Sequence, residues 1–435
     1  MCNFDEQYFF SNTQRVRLSK KIGVDNIVQT AVNQLYDDRK LSKAVNKKMF
    51  AATYEPLKAA VNEGVGKVSM EVQFGTPNYE FLKQLQTNTA VLSAFKNHAQ
   101  IKEMASLLKD ESGNLRSKAD FRKAAMAVNE KYNGRYLDTE YDTAVRQSRS
   151  AAQWQKALTT AKLYPNIKYL PSVAAHPRVS HEKYYGIIRP MTDPIWSSIL
   201  PINSWGCKCG WEVTDEEPND LPDNLPTPEA GFDFNPGATG QVFDLENSSY
   251  IKSVPSKEQP ALIRMAKSYV IADMAEAAPY VEMYKSKAGT KVTAHPLAQQ
   301  DKYFQENINA ARSMANSRNI DVKEIKLLPV VSDAALRQKL LPGAKESKNP
   351  DFQIDGEYYE LKELKAGKSK NTVKHALDSA RGQADNAILI VPDGFPFTEQ
   401  EITTTIKDKT LKKEMKGFGN IWMYINGNWV ANPHK

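Results

Sequence analysis

Cysteine is scarce, with three residues in 435: Cys2, Cys207 and Cys209. So few exclude a disulfide framework and suit a reducing compartment. Long apolar runs are missing as well. No stretch approaches the ~18 uninterrupted apolar residues of a membrane span, so no membrane partner is expected. The opening MCNFDEQYFFSNTQRVRLSKK has no apolar core behind a basic start, and a secretory signal is not expected. No internal repeat is evident. Nor is there a strong excess of charge: 58 Lys and Arg against 51 Asp and Glu leave +7. Such a balance permits an acidic partner such as nucleic acid without demanding one.

What is present is ordinary globular composition. With 41% hydrophobic and 25% charged residues, the chain can bury real cores. At ~150 residues per domain, its length gives two or three domains. The small total charge hides an asymmetry. Residues 1–213 carry 30 basic against 20 acidic residues, residues 214–284 carry 4 against 13, and residues 285–435 carry 24 against 18. Two basic modules flank an acidic spacer, so domains are expected at 1–213, 214–284 and 285–435.

The first 160 residues read as helical. Apolar residues recur every three or four positions from Ile27 to Val65, Tyr79 to Leu108, Ser117 to Tyr132 and Thr139 to Leu163. From Pro165 to Val213 prolines and aromatics crowd together, predicting a compact irregular region with short strands at IKYL and WEV. Residues 214–240 are proline-rich and acidic. They read as a solvated linker, or as an arm docking on a basic neighbour. A short helix is expected within Gln259 to Lys285. The last 150 residues look α/β, with helices at Ala298–Ser317, Asp333–Leu341 and Asn371–Ala384. IDVKEIKLLPVV is read as a strand and NAILIV as a buried central strand. Hairpins are expected around Asp355-Gly356 and Asn426-Gly427.

The sharpest constellation is NPDFQIDGEYYELK. Asp351 opens one strand; Glu360 and Lys362, two apart on the return strand, share a face. Two carboxylates and a lysine on one surface suit metal-assisted phosphodiester hydrolysis. Asp351 and Glu360 would hold Mg²⁺ or another hard divalent cation through oxygen, which would acidify a bound water. Lys362 would stabilise developing negative charge. Lys365, Lys368, Lys370 and Lys374, with Arg381, could grip a phosphate backbone. A solvated charged hairpin and a solubilising loop are the plain alternatives. Glu346, Glu357 and Glu363 read as surface charges, and Trp422, Tyr424 and Trp429 as core rather than base-stacking.

The run Pro350-Asp351 … Glu360-Leu361-Lys362 resembles the PD-(D/E)xK nuclease signature. The stretch PDFQIDGEYYELK…ALDSARGQADNAILIV is similar to the C-terminal nuclease domains of CdiA-type contact-dependent growth-inhibition toxins. The likeness covers about residues 340–395. It implies a restriction-endonuclease-like mixed sheet, with Gln383 orienting water or substrate. It also implies tRNA or DNA as substrate and an immunity protein as partner.

A second constellation lies upstream. Cys207 and Cys209 form a C-x-C, with His176 and His181 before it. Thiolate and imidazole suit zinc, but the spacing is tighter than the usual C-x₂₋₄-C, and plain packing is the main reading of Cys207 and Cys209. The wider pattern Arg178 … His181 … Gly186 … Pro190 … Asp193-Pro194 … Trp196 … Pro201 … Trp205-Gly206-Cys207-Lys208-Cys209 resembles the phage Mu F-like head morphogenesis family. Family members end this domain on P-P-N-G-W-G/N-C-R-C; here the run is PINSWGCKC. RYLDTEYDTAVRQSRSAAQWQ and GFDFNPGA extend the likeness over about residues 115–240. The resemblance implies a minor head protein, a portal or head partner, and residence in the virion. It also implies variable C-terminal extensions, which would act in the bacterial cytoplasm.

Together these predict a multidomain chain. A mainly α head-morphogenesis domain with an irregular Cys/Trp end is joined by an acidic linker to an α/β nuclease-like toxin domain. Two alternatives remain for the C-terminal end. One is a non-catalytic structural or binding extension. The other is a metal-independent barnase/RelE-like RNase working through His375, Arg381 or Lys362.

Overall fold

A computed structural model describes residues 24–39, 46–66, 68, 76–365, 369–411 and 418–432. The chain divides into two compact units, Met1–Ile271 and Ala272–Lys435. Neither charge boundary, 214 or 285, coincides with that division.

Among the described residues, the first unit is built chiefly on the helices α1 (Val24–Asp38), α2 (Lys47–Gly66), α3 (Pro77–Ser106), α4 (Lys118–Asn129) and α5 (Leu137–Thr160). The helix starts follow from local chemistry. Thr76 caps α3 with Pro77 as its first residue, and Ser117 caps α4, each side chain accepting a hydrogen bond from the first turn. Two expectations needed adjustment. The helix expected over Ile27–Val65 is two helices. The break expected between Tyr132 and Thr139 is bridged by a π-helical turn, Glu130–Tyr136, so α4 runs on into α5.

α2 packs closely on α5, and Gly64 shows how closely. A Cβ there would lie 2.3 Å from the Val145 carbonyl oxygen and 2.9 Å from the Arg149 amide nitrogen. Backbone cannot swing aside as a side chain can. Gly64→Ala is therefore expected to lower stability by about 1–3 kcal/mol despite alanine's better helix propensity, as read by urea denaturation.

α3 buries polar as well as apolar residues: Gln86, Asn88, Thr89, Ser93, Lys96, Asn97 and Gln100 are all under 9% exposed. Lys96 pairs with Glu140 of α5, whose other oxygen accepts a hydrogen bond from Tyr250 (3.0 Å). Burial pushes the Lys96 ammonium down and the Glu140 carboxyl up, while each partner pulls the other back.

The irregular region beyond α5 holds a three-stranded antiparallel sheet. β1 (Asn166–Leu170) lies between β2 (Ile188–Pro190) and β3 (Gly210–Thr214). Its core gathers Tyr169, Tyr184, Trp196, Cys207, Cys209 and Trp211. Trp205 is different: it is 38% exposed and rests edge-on against Phe232.

The acidic segment is only partly a solvated linker. Residues 215–224 are exposed as expected. Beyond them Phe232, Phe234, Val242 and Phe243 are buried. The Asn88 amide clamps this arm, donating to the Phe243 carbonyl (2.9 Å) and accepting from the Val242 and Phe243 amides (3.0 and 2.8 Å). Burying four large apolar groups outweighs solvation of the neighbouring acids.

α6 (Gln259–Ala277) contains the division between the units. The second unit is an eight-stranded mixed sheet. Its strands are β4 (Val281–Lys285), β5 (Lys291–Ala294), β6 (Glu324–Leu327), β7 (Phe352–Ile354), β8 (Glu357–Glu363), β9 (Asn386–Ile390), β10 (Ile421–Ile425) and β11 (Asn428–Ala431). They lie in the order β11-β10-β9-β8-β7-β6-β5-β4. α7 (Phe304–Ala315) connects the parallel pair β5 and β6. α8 (Ala334–Leu340) follows β6. α9 (Asn371–Arg381) joins β8 to parallel β9, and α10 (Glu399–Thr410) joins β9 to parallel β10.

Strand alternation sorts side chains into two cores. Phe352, Ile354, Tyr359 and Ile388 pack with α7, together with buried Trp422 and Trp429 of the terminal hairpin. Ala387, Leu389, Ile421 and Met423 pack with α9 and α10. This is the helical unit followed by an α/β unit that the periodicities predicted, with the mixed sheet that the resemblance implied. No described helix is long and apolar enough to cross a membrane.

Candidate functional site

The β7–β8 hairpin turns at Asp355-Gly356, both at positive φ (46° and 93°), as an Asp-Gly two-residue turn requires. The Asp355 carboxylate accepts from the Lys323 and Glu324 amides (3.1 and 2.9 Å), tying the hairpin tip to the start of β6. The register pairs Phe352 with Tyr359, which brings Asp351 to the level of Glu360. Glu360 pairs across β9 with Ala387, and Lys362 with Leu389. Both partners belong to the core under α9, so Glu360 and Lys362 face that side of the sheet.

Three expected residues are thus brought together. Lys362 Nζ donates to Glu360 Oε1 at 2.6 Å. Asp351 Oδ2 accepts from the Leu361 amide at 2.8 Å, and its Oδ1 accepts from Asn307 Nδ2 at 3.3 Å. Glu360 is 6% exposed, and its Oε2 has no hydrogen-bond partner among the described residues. Burial pushes the Asp351 carboxyl above its ordinary range. Burial, with the Asp351 charge second, pushes Glu360 up to about 7, against the pull of Lys362. Two carboxyl groups share the one Lys362 ammonium and leave one buried oxygen unpartnered, so the site has room for more positive charge. Its donors are all hard oxygens, so a divalent cation such as Mg²⁺ fits it.

The other expected residues fall differently. Gln383 is in the turn entering β9 and makes no hydrogen bond to Asp351, Glu360 or Lys362 among the described residues. Arg381 ends α9, where it pairs with Asp385 (2.7 Å) and covers the Phe418 ring. That is the Tyr359 end of the β8–β9 pair, away from Lys362. Lys365 is exposed in the loop leaving β8, and Lys374 is half-buried on α9. Lys370 faces Glu401 at 3.4 Å. Lys368 lies outside the described residues. Glu346, Glu357, Glu363 and His375 are exposed, and Cys207 and Cys209 are buried free thiols. Asn307 is the residue that sequence reasoning missed. Its only signal is an amide on the otherwise apolar face of α7.

The pH dependence of stability follows from Glu360. Below pH 4.5, its ordinary value, folded and unfolded chains both carry the proton. Between there and about 7 the folded form holds it and the unfolded form does not, so stability falls as pH rises through this window. A bound cation offsets the charge. Mg²⁺ is therefore expected to raise the melting temperature of the second unit clearly at pH 8 and little at pH 5, by differential scanning fluorimetry. Equal shifts at both would count against the cation.

The geometry defines a class: a helical unit with a Cys/Trp-rich end, followed by an α/β unit bearing a D…ExK hairpin. The comparisons agree with both halves. The contact-dependent growth inhibition CdiA C-terminal domain family matches residues 348–428. The Mu-like prophage FluMu F protein of Haemophilus influenzae is 32% identical over 66 residues, which is 15% of this chain and 16% of that protein. No solved structure matches. The chain therefore joins a segment similar to a Mu-like F protein to a domain similar to the CdiA C-terminal domain.

Proposed function

We propose that this is a phage head-associated protein carrying a metal-dependent nuclease, active as a growth-inhibiting toxin, in its second unit. The observation that carries the reading is buried Glu360 beside half-buried Asp351 and Lys362, with Glu360 Oε2 unpartnered. Asp351 and Glu360 would hold the cation, which supplies polarisation of a phosphodiester oxygen and an acidified water. Lys362 pulls against the raised carboxyl of Glu360 and places positive charge where the attacked phosphate becomes more negative. Asn307 and the Leu361 amide hold the Asp351 carboxylate in one orientation. Lys365, Lys370 and Lys374 follow from the Lys362 end of β8, where a phosphate backbone would run.

The substrate in this reading is tRNA or DNA, met in the cytoplasm of a bacterium and blocked there by an immunity protein. The F-like segment would contact portal or head proteins in the virion. The test is cleavage of tRNA and duplex DNA by the purified chain with Mg²⁺ and with EDTA. Cleavage with Mg²⁺ alone supports the proposal. Full activity in EDTA would make the site a metal-independent RNase. No cleavage of any nucleic acid would leave a binding or structural extension.

A further inference from the structure

The first unit has a chemical cluster that the nuclease reading does not use. His181 lies on the short helix Val179–Glu182, and Cys207 and Cys209 lie just before β3. All three are buried, and one donor atom from each falls within 4.8 Å of the others. His181 Nδ1 is 3.6 Å from Cys207 Sγ and 3.6 Å from Cys209 Sγ. His176, the other candidate upstream, is exposed.

The two equal distances carry the argument. A hydrogen bond uses the Nδ1 lone pair, or its proton, toward one sulfur. A tetrahedral ion with bonds of about 2.3 Å to sulfur and about 2.0–2.1 Å to nitrogen sets each sulfur about 3.6 Å from that nitrogen. The separation seen is the edge of such a tetrahedron, made twice from one nitrogen.

The C-x-C spacing is no obstacle here. Residues two apart on an extended segment share a face, and Cys209 lies two beyond Cys207, which closes a turn. Gly206 takes a positive φ of 71°, and the Cys207 amide donates to the Ser204 carbonyl (3.1 Å). The Cys209 amide then donates to Cys207 Sγ (3.5 Å), a contact that favours a thiolate. The turn aims both sulfurs at one point.

We propose that His181, Cys207 and Cys209 form a three-ligand zinc site, with the fourth position taken by water. No fourth His, Cys, Asp or Glu joins the cluster among the described residues. Soft sulfur with imidazole selects zinc over the hard cations suited to Asp351 and Glu360. The ion would pin the Val179–Glu182 helix to the entry of β3, in a region whose sheet has only three short strands.

The test is made on the full chain carrying Glu360→Gln, grown with zinc under reducing conditions. The expected result is one zinc per chain by elemental analysis. Replacement by Co²⁺ should give thiolate-to-cobalt charge-transfer bands, which oxygen ligands cannot produce. His181→Asn and Cys209→Ser should lose both signals, and His176→Asn should keep them. Where a variant fails to fold, the cobalt spectrum of the parent chain decides. A folded, reduced parent that contains no zinc and gives no charge-transfer band overturns the proposal.

Discussion

Glu360→Gln is expected to lower Mg²⁺-dependent cleavage by roughly 10³-fold or more while making the protein more stable above pH 7. The activity loss rests on the proposed ligand set. Asp351 and Glu360 are the two carboxylates of the site, and a Lewis-acid ion contributes several kcal/mol, with each ~1.4 kcal/mol a tenfold change in rate. The stability gain follows from burial. Glu360 is 6% exposed, one oxygen is unpartnered, and its carboxyl is pushed up to about 7. A neutral amide of the same shape removes a charge that the fold tolerates poorly, for a gain on the order of 1–3 kcal/mol at pH 8. Lys362 loses an anionic partner, which offsets part of it. Initial rates and urea denaturation of the same preparation read both effects. An active variant, or an inactive one that is also less stable, contradicts this account of Glu360. Asp351→Asn is the less clean probe, because Asp351 accepts from the Leu361 amide and Asn307.

The second large effect lies in the helical unit. Glu140→Ala is expected to cost about 3–5 kcal/mol, because it leaves the Lys96 ammonium buried without its anion and takes an acceptor from Tyr250. Replacing both partners together, as Lys96→Met with Glu140→Leu, is expected to cost much less, since an apolar pair needs no desolvated charge. Urea denaturation of Lys96→Met, Glu140→Leu and the variant carrying both forms the cycle that checks it. Additive costs would mean that the two groups act independently.

The parts of the fold that were legible in the sequence are those with local causes. The Asp355-Gly356 turn and its alternating flanks specify the hairpin, and the hairpin specifies that Asp351, Glu360 and Lys362 meet. Ser117 announced a helix start, and the apolar run at Ala387–Ile390 a central strand. What failed depended on distant partners. β4 was read as the end of a helix because Val281–Lys285 is short, exposed and stabilised only by pairing with β5. α10 was missed, although Thr398 and Glu401 form a capping box. Composition marks 214–240 as solvated, but Phe232 and Phe234 are buried within it, and Asn88, over 150 residues earlier, holds down the Val242-Phe243 backbone that follows. Asn307 reaches Asp351 across 44 residues, and no spacing rule announces such a contact.

That difference in separation has a kinetic side. Asp351 and Leu361 are ten residues apart, and a loop of that length closes in about 10–100 ns, with hairpins following in ~1–10 μs. The ligands of the carboxylate pair therefore meet almost as soon as their segment is synthesised. The burial that raises Glu360 waits for α9 and for β9, whose Ala387 pairs beside it. During elongation the hairpin is an ordinary hydrated pair of acids. Its strained, desolvated character appears only when α9 and β9 close over it.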